Sequence, residues 1–318
     1  MNLSWLHDFL ALAETGNFSR AADARHMTQP AFSRRIRALE DWLGVALFDR
    51  SSQPARLTAT GEWFLGVAHE LLARTARLPA DAQALAESTS ATLRLAATHA
   101  LSFTFLPGWL RGLETHTTLG PVRLVSDVLQ QCEALLQQGR VQFLLCHAHA
   151  AAPGALDAAG FPWLRVGQDA LLPVTAPARG GKPLHKLDGK AAGGVPLLAY
   201  SAESGIGRVV QAVHGAALQA LGARPVVTAH LATVLKTMAV DGRGVAWLPA
   251  TLVQDDLDAG RLVLAGAPAW QVPLELRLYR DAAAGTPAAQ GFWRAAGANR
   301  GLKSGAASVR IRSCCSLP

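Results

Sequence analysis

Arg34, Arg35 and Arg37 lie within four residues of one another, beside Ser33 and just after Thr28-Gln29-Pro30. A guanidinium can pair with the O6 and N7 acceptors of guanine, and Ser, Thr or Gln can reach a base edge or a phosphate. The chemistry on offer is recognition of a nucleic-acid surface, and it requires these residues to share one exposed face. Phe32, Ile36, Leu39 and Leu43 recur at helical spacing and give the segment a buried back. Pro30, Ser33, Arg34, Arg37 and Asp41 are left in front. Thr28 is the expected N-cap, Pro30 falls in the first turn, where a missing N–H costs nothing, and Gly44 ends the helix. An ordinary amphipathic helix with a solvated basic face would show the same pattern.

The flanking elements favour recognition. Upstream, Ser19 is expected to cap a short helix over 20–25, which completes a helix-turn-helix. Downstream, the apolar run Val45-Ala46-Leu47-Phe48, a polar stretch over 50–56 with Pro54, and Leu57-Thr58 predict a wing. Arg50 and Arg56 would meet the phosphate backbone or the minor groove. Thr60-Gly61 then opens a long helix in which Phe64, Ala68, Leu71, Thr75, Leu78, Ala82 and Leu85 alternate in steps of four and three. Such a seam suits pairing with a second copy, and packing within its own domain is the alternative. Pro79 predicts a kink or two shorter helices.

Beyond residue 91, strands are expected over 92–98, 122–125 and 141–146, with helices over 106–114 and 128–138 between them. That order implies parallel pairing in an α/β layer. The small-residue stretch 148–159 is expected to link a first subdomain to a second. The second holds strands over 170–176, 195–200, 226–229 and 244–248 and helices over 206–221 and 231–240. The chain returns through 261–264 and 274–279, and two crossovers make a cleft. Ligands of open α/β sheets sit at strand carboxyl ends, near helix N-termini. That rule selects Thr98, His99 and Ser102 on one wall, with Ser102 as a cap, and Ser201, Ser204 and Gly205 on the other. The hydroxyls could equally be helix caps and nothing more. His147 and His149 would line the hinge.

The matching pieces of the N-terminal region come in fixed order: Leu10, Gly16-Asn17-Phe18-Ser19, Ala21-Ala22, Thr28 to Ser33, Ile36 to Glu40, Leu43-Gly44-Val45, Leu47-Phe48, Arg50, Leu57-Thr58 and Thr60-Gly61. Over 3–65 the chain resembles the N-terminal domain of LysR-type transcriptional regulators. Within that family it is similar to the hypochlorite-responsive group at Trp5, Asp8-Phe9-Leu10, Gln29 to Glu40 and Ala246-Trp247-Leu248-Pro249. The resemblance implies a winged helix-turn-helix, a dimerising linker helix and a two-subdomain α/β effector domain like a periplasmic binding protein. It implies an interrupted palindromic operator in double-stranded DNA, a homodimer or homotetramer, and an inducer pocket at Thr98, Ser102, Ser201 and Ser204. Where that group bears methionines, this chain has Ile206 and Leu231, which argues against methionine oxidation as the signal. The expected domains are 1–59, the linker 60–90, and the effector domain 91–297. Its first subdomain would hold 91–162 and 269–297, and its second 163–268.

Half of the 318 residues are hydrophobic, which fits a globular chain with sizeable cores. The net charge of +7 misleads, because Arg294, Arg300, Lys303, Arg310 and Arg312 supply five of those charges near the C-terminus. The stretch 298–318, ending in Cys314-Cys315, reads as a disordered tail. With no signal peptide and no run of 18 apolar residues, the expected place is the cytoplasm, with no membrane partner. Cys132 and Cys146 read as core residues, and the His147/His149 pair lacks the ligands of a metal site. There is no nucleophile elbow or carboxylate pair, so neither enzyme nor cofactor is expected. A small, by default anionic, effector is expected. The alternative is a cytosolic ligand or redox sensor that binds no classical inducer.

Overall fold

The computed structural model describes residues 2–49, 54–86, 92–115, 117–187, 194–283 and 285–298. Arg50, the tail over 299–318 and the side chain of Leu85 lie outside what is described. The chain divides into two compact units, 1–83 and 84–318.

The first unit holds α1 (Leu3–Thr15), α2 (Phe18–Ala24), α3 (Gln29–Leu43), the antiparallel pair β1 (Phe48–Asp49) and β2 (Arg56–Leu57), and α4 (Ala59–Ala86). Asn2 caps α1 through Ser4 N–H, and Gly16 ends it at φ 60°. The cap of α2 is Asn17, not Ser19. Its side chain accepts from the N–H groups of Ser19 and Arg20, so the helix starts one residue before the expected cap. His26 takes φ 53° in the turn to α3. Thr28 stands at the N-cap of α3 but makes no side-chain cap bond. Phe32, Ile36 and Leu39 are fully buried with Leu6, Phe9, Leu12, Leu47, Phe48, Phe64 and Ala68. Phe64 and Ala68 of the expected seam therefore belong to this unit's own core. Leu78, further along, is 53% exposed. The helix α4 runs through Pro79 as one element, not two. Pro79 is exposed, so water can satisfy the carbonyl that loses its partner.

The second unit is built on a sheet ordered β10-β6-β11-β5-β3-β4, with β9 also paired to β6. Its elements are β3 (Leu93–Thr98), α5 (His99–Thr104), α6 (Leu106–Glu114), β4 (Val122–Asp127), α7 (Leu129–Gln137), β5 (Phe143–Ala148), α8 (Ala155–Ala158) and β6 (Trp163–Thr175). After them come β7 (Pro196–Tyr200), α9 (Gly205–Ala220), β8 (Arg224–Ala229), α10 (Ala232–Val240), β9 (Ala246–Pro249), α11 (Ala250–Asp258), β10 (Val263–Leu264), β11 (Val272–Arg280) and α12 (Pro287–Ala298). Strand β3 is parallel to β4 and β5, whereas β11 is antiparallel to both β5 and β6. The sheet is thus mixed, not purely parallel.

Two lobes share this sheet. Along β5, Phe143 and Leu145 enter one core while Leu144 and Cys146 enter another. Along β9, Ala246 and Leu248 face one core and Trp247 the other. Strands buried on both faces read as continuous apolar runs, which is how they appear in the sequence. The passage between lobes is not the stretch 148–159. That stretch forms α8 and turns back, and β6 makes the crossing. Its residues Trp163–Leu171 pair with β11, and Leu171–Val174 pair with β9.

Candidate nucleic-acid interface and ligand cleft

On α3, Thr28, Gln29, Pro30, Arg34 and Arg37 are exposed and Ser33 is half-buried. The three neighbouring arginines do not act alike. Arg35 Nε turns back to Asp8 Oδ2 at 2.8 Å, and Arg25 Nε meets Asp8 Oδ1 at 2.9 Å. The Asp8 side chain is fully buried, so this cluster ties α1, α2 and α3 together. It leaves Arg34 and Arg37 as the outward pair. Glu40 fixes the start of the wing by accepting from the N–H groups of Leu47 and Phe48. Arg56 is exposed on β2. Thr58 donates to the Ala46 carbonyl and accepts from Gly61 N–H, which seats α4 against the wing. A side chain on Gly61 would strike the Leu47 carbonyl, so glycine is required there.

In the second unit, Thr98, His99, His147, Ser204 and Gly205 line one cleft of about 40 Å³. From the first lobe come Thr98 at the end of β3 with His99 after it, Asp127 at the end of β4 with Val128 and Leu129 after it, and His147 on β5. From the second come Tyr200 at the end of β7, Ser204 to Ile206 opening α9, His230 after β8, and Ala232 opening α10. Each wall is strand ends and helix starts. Ser102 and Ser201 are not among the lining residues. Ser102 is not a cap either: it lies inside α5, and its hydroxyl donates to Ser126 Oγ at 2.9 Å. Ser201 joins β7 to β8 through its N–H on the Ala229 carbonyl. Ser204 does cap α9, accepting from Gly207 N–H. His149 accepts from Ala151 N–H and does not line the cleft. Asp127 and His230 were missed, although His230 directly follows the strand expected over 226–229 and Asp127 stands two residues past the one expected over 122–125.

Two contacts cross the cleft between α7 and α9. Leu129 packs so closely on Gly205 that a Cβ there would collide with it. Arg208 Nη2 lies 3.4 Å from Glu133 Oε2. At the base, His147 Nε2 lies 3.3 Å from Asp169 Oδ2 on β6, and Thr251 donates to the same oxygen at 2.7 Å. Burial works against charge on Asp169, but His147, the Thr251 hydroxyl and the Ala170 N–H outweigh it and hold the carboxyl below its usual range. Burial pushes the Cys132 thiol up to about 12 and raises that of Cys146 as well, which leaves little thiolate for redox chemistry. Among the described residues, no three potential ligands could hold a metal ion.

Residues 3–62 match the description "bacterial regulatory helix-turn-helix protein, lysR family", and residues 86–300 match the LysR substrate binding domain. The chain belongs to the LysR family. This LysR-type protein is a DNA-binding transcriptional regulator with a substrate-binding domain. It is 31% identical over 290 residues to the Escherichia coli regulator YjiE, covering 91% of this chain and 92% of YjiE. Full-length HypT of Salmonella typhimurium, a hypochlorite-specific LysR-type regulator, is 30% identical with a TM-score of 0.56, over 94% of this chain and 98% of HypT. Vibrio fischeri DarR, solved in complex with DNA, is 29% identical with a TM-score of 0.55, over 93% and 98%. The LysR-type fold expected from the sequence is confirmed by these matches.

Proposed function

We propose that α3 and the wing read an interrupted palindromic operator through Thr28, Gln29, Pro30, Ser33, Arg34, Arg37, Arg56 and Arg50, the last outside the described residues. The observation that carries this is the outward pair Arg34 and Arg37, left free to face DNA by the capture of Arg35 on Asp8. The protein acts in the cytoplasm as a regulator and not as an enzyme. Its working parts follow the expected division: 1–59 for DNA, the linker 60–90, and 91–297 for the effector. Among the described residues no helix is long and apolar enough to cross a membrane. Genome-wide mapping of bound DNA should return sites that share an interrupted palindrome. Bound regions without any common motif would overturn the reading.

The regulator assembles as a homodimer or homotetramer. Leu78 on α4, with Val122 and Leu124 on β4 and Val226 on β8, leaves apolar surface for a second copy. Leu78→Asp would place a charge in such a seam and should lower the mass measured by light scattering. An unchanged mass would remove α4 from the interface.

The cleft binds a small effector, and binding changes the relation of the two lobes. Ile206 lines this cleft, and the thiols of Cys132 and Cys146 are buried, which supports a bound molecule over oxidation of a sulfur. Gly205→Val would push Leu129 off α9 and hold the cleft open. Induction of a reporter fused to a mapped target should then fall by at least about tenfold, the loss of roughly 1.4 kcal/mol of closure. Normal induction would move the signal elsewhere.

A further inference from the structure

We propose that the cleft takes a small, singly charged anion between His99 and His230, and that the complex holds one proton more than the empty cleft. The proposal rests on the reading of this cleft as the effector site. Among the described residues, no lysine or arginine lines it. Among the lining side chains, positive charge can come only from imidazole, and His147 is already engaged by Asp169. The other two rings come from different lobes, His99 opening α5 and His230 between β8 and α10, with centroids 6.1 Å apart. One small anion can accept from both.

A chain of hydroxyls lets His99 change protonation state without losing a hydrogen bond. His99 Nδ1 lies 3.0 Å from Ser126 Oγ, which lies 2.9 Å from Ser102 Oγ, which lies 3.3 Å from the Thr98 carbonyl. With a neutral ring, Ser102 donates to Ser126 and Ser126 donates to Nδ1, so the ring proton sits on Nε2. With a charged ring, Nδ1–H donates to Ser126, Ser126 to Ser102, and Ser102 to the carbonyl. Only the hydroxyl rotors move.

The surrounding charges set the ligand class. Burial lowers the pKa of His99, Asp127 at the end of β4 raises it, and His230 lowers it further. Glu203, before α9, is held below the usual carboxylate range chiefly by the Ser201 hydroxyl, with a smaller contribution from His230. His147 on β5 is paired with Asp169, and Arg208 on α9 with Glu133 on α7. The empty cleft therefore holds its proton weakly, and a bound anion raises the pKa of the rings it touches. The Asp127 carboxylate in the lining, with no lysine or arginine beside it among the described residues, favours one ligand charge over two.

Sodium acetate is the probe, with the full-length protein. Calorimetry in buffers of different ionisation enthalpy should show uptake of close to one proton. Affinity should fall about tenfold per pH unit above the pKa of free His99. Histidine Cε1–H signals, assigned through His99→Gln and His230→Gln, should titrate at higher pH with acetate present. Each of these substitutions should abolish proton uptake. Ser102→Ala keeps both rings and breaks the relay, and should shift the pH profile of acetate binding to lower pH. Acetate binding without proton uptake, or tighter binding of sulfate or acetamide, would overturn the proposal. If acetamide shifts the cleft signals and acetate does not, the cleft stands and the anion falls. If Gly205→Val leaves induction intact, the cleft itself falls.

Discussion

Phe9→Ala should destabilise the DNA-binding unit by about 3–5 kcal/mol, the range for truncating a fully buried Phe. Phe9 is 0% exposed, and its ring stands 5.3 Å from Phe48 at the wing and 5.0 Å from Phe64 of α4. One side chain thus joins α1 to the wing and the long helix. Amides of α3 in the full-length chain should exchange with solvent faster by a factor of hundreds or more, about two decades for each 2.7 kcal/mol. A change below about 1 kcal/mol would mean that the cavity collapses and that the wing is held by other groups.

Arg34→Ala should weaken specific operator binding by about 1–3 kcal/mol while the unit stays folded. Arg34 is exposed on α3, so its removal leaves no buried group unpaired. Arg35→Ala makes the contrast. It strips one partner from the buried Asp8, so its effect should appear first as lost stability. A mobility-shift assay paired with a thermal melt separates the two. Undiminished affinity for a mapped operator in the Arg34 variant would take α3 out of base recognition.

The helix α3 was legible because its boundaries and its buried stripe agree. Thr28, Pro30 and Gly44 frame Phe32, Ile36 and Leu39, and local and tertiary preferences coincide. Ser19 misled because Asn17, two residues earlier, is an equally good cap and wins. His26 was invisible, since a left-handed backbone at a non-glycine residue has no strong sequence signal. Only 170–176 of β6 was read as strand. Its first half, at the sheet edge beside β11, mixes Arg165, Gly167 and Gln168 with half-exposed positions and loses the apolar run. In the cleft, Thr98, Ser204 and Gly205 followed from the rule about strand ends. The same rule applied to the strands at 122–125 and 226–229 would have reached Asp127 and His230.

The crossing of β6 has a mechanical consequence. A hinge made of loops lets two lobes swing like a door, because few hydrogen bonds resist. Here the lobes are threaded by β6, which is bonded to β11 over one half and to β9 over the other. A swing would tear that ladder, whereas twist is the soft deformation of a sheet. The register shift beside Leu276 and Arg277 marks where the ladder already yields. The connection works as a torsion bar. Ligand closure should therefore reach the rest of the regulator as a rotation of a few degrees, small in amplitude and stiff enough to be transmitted.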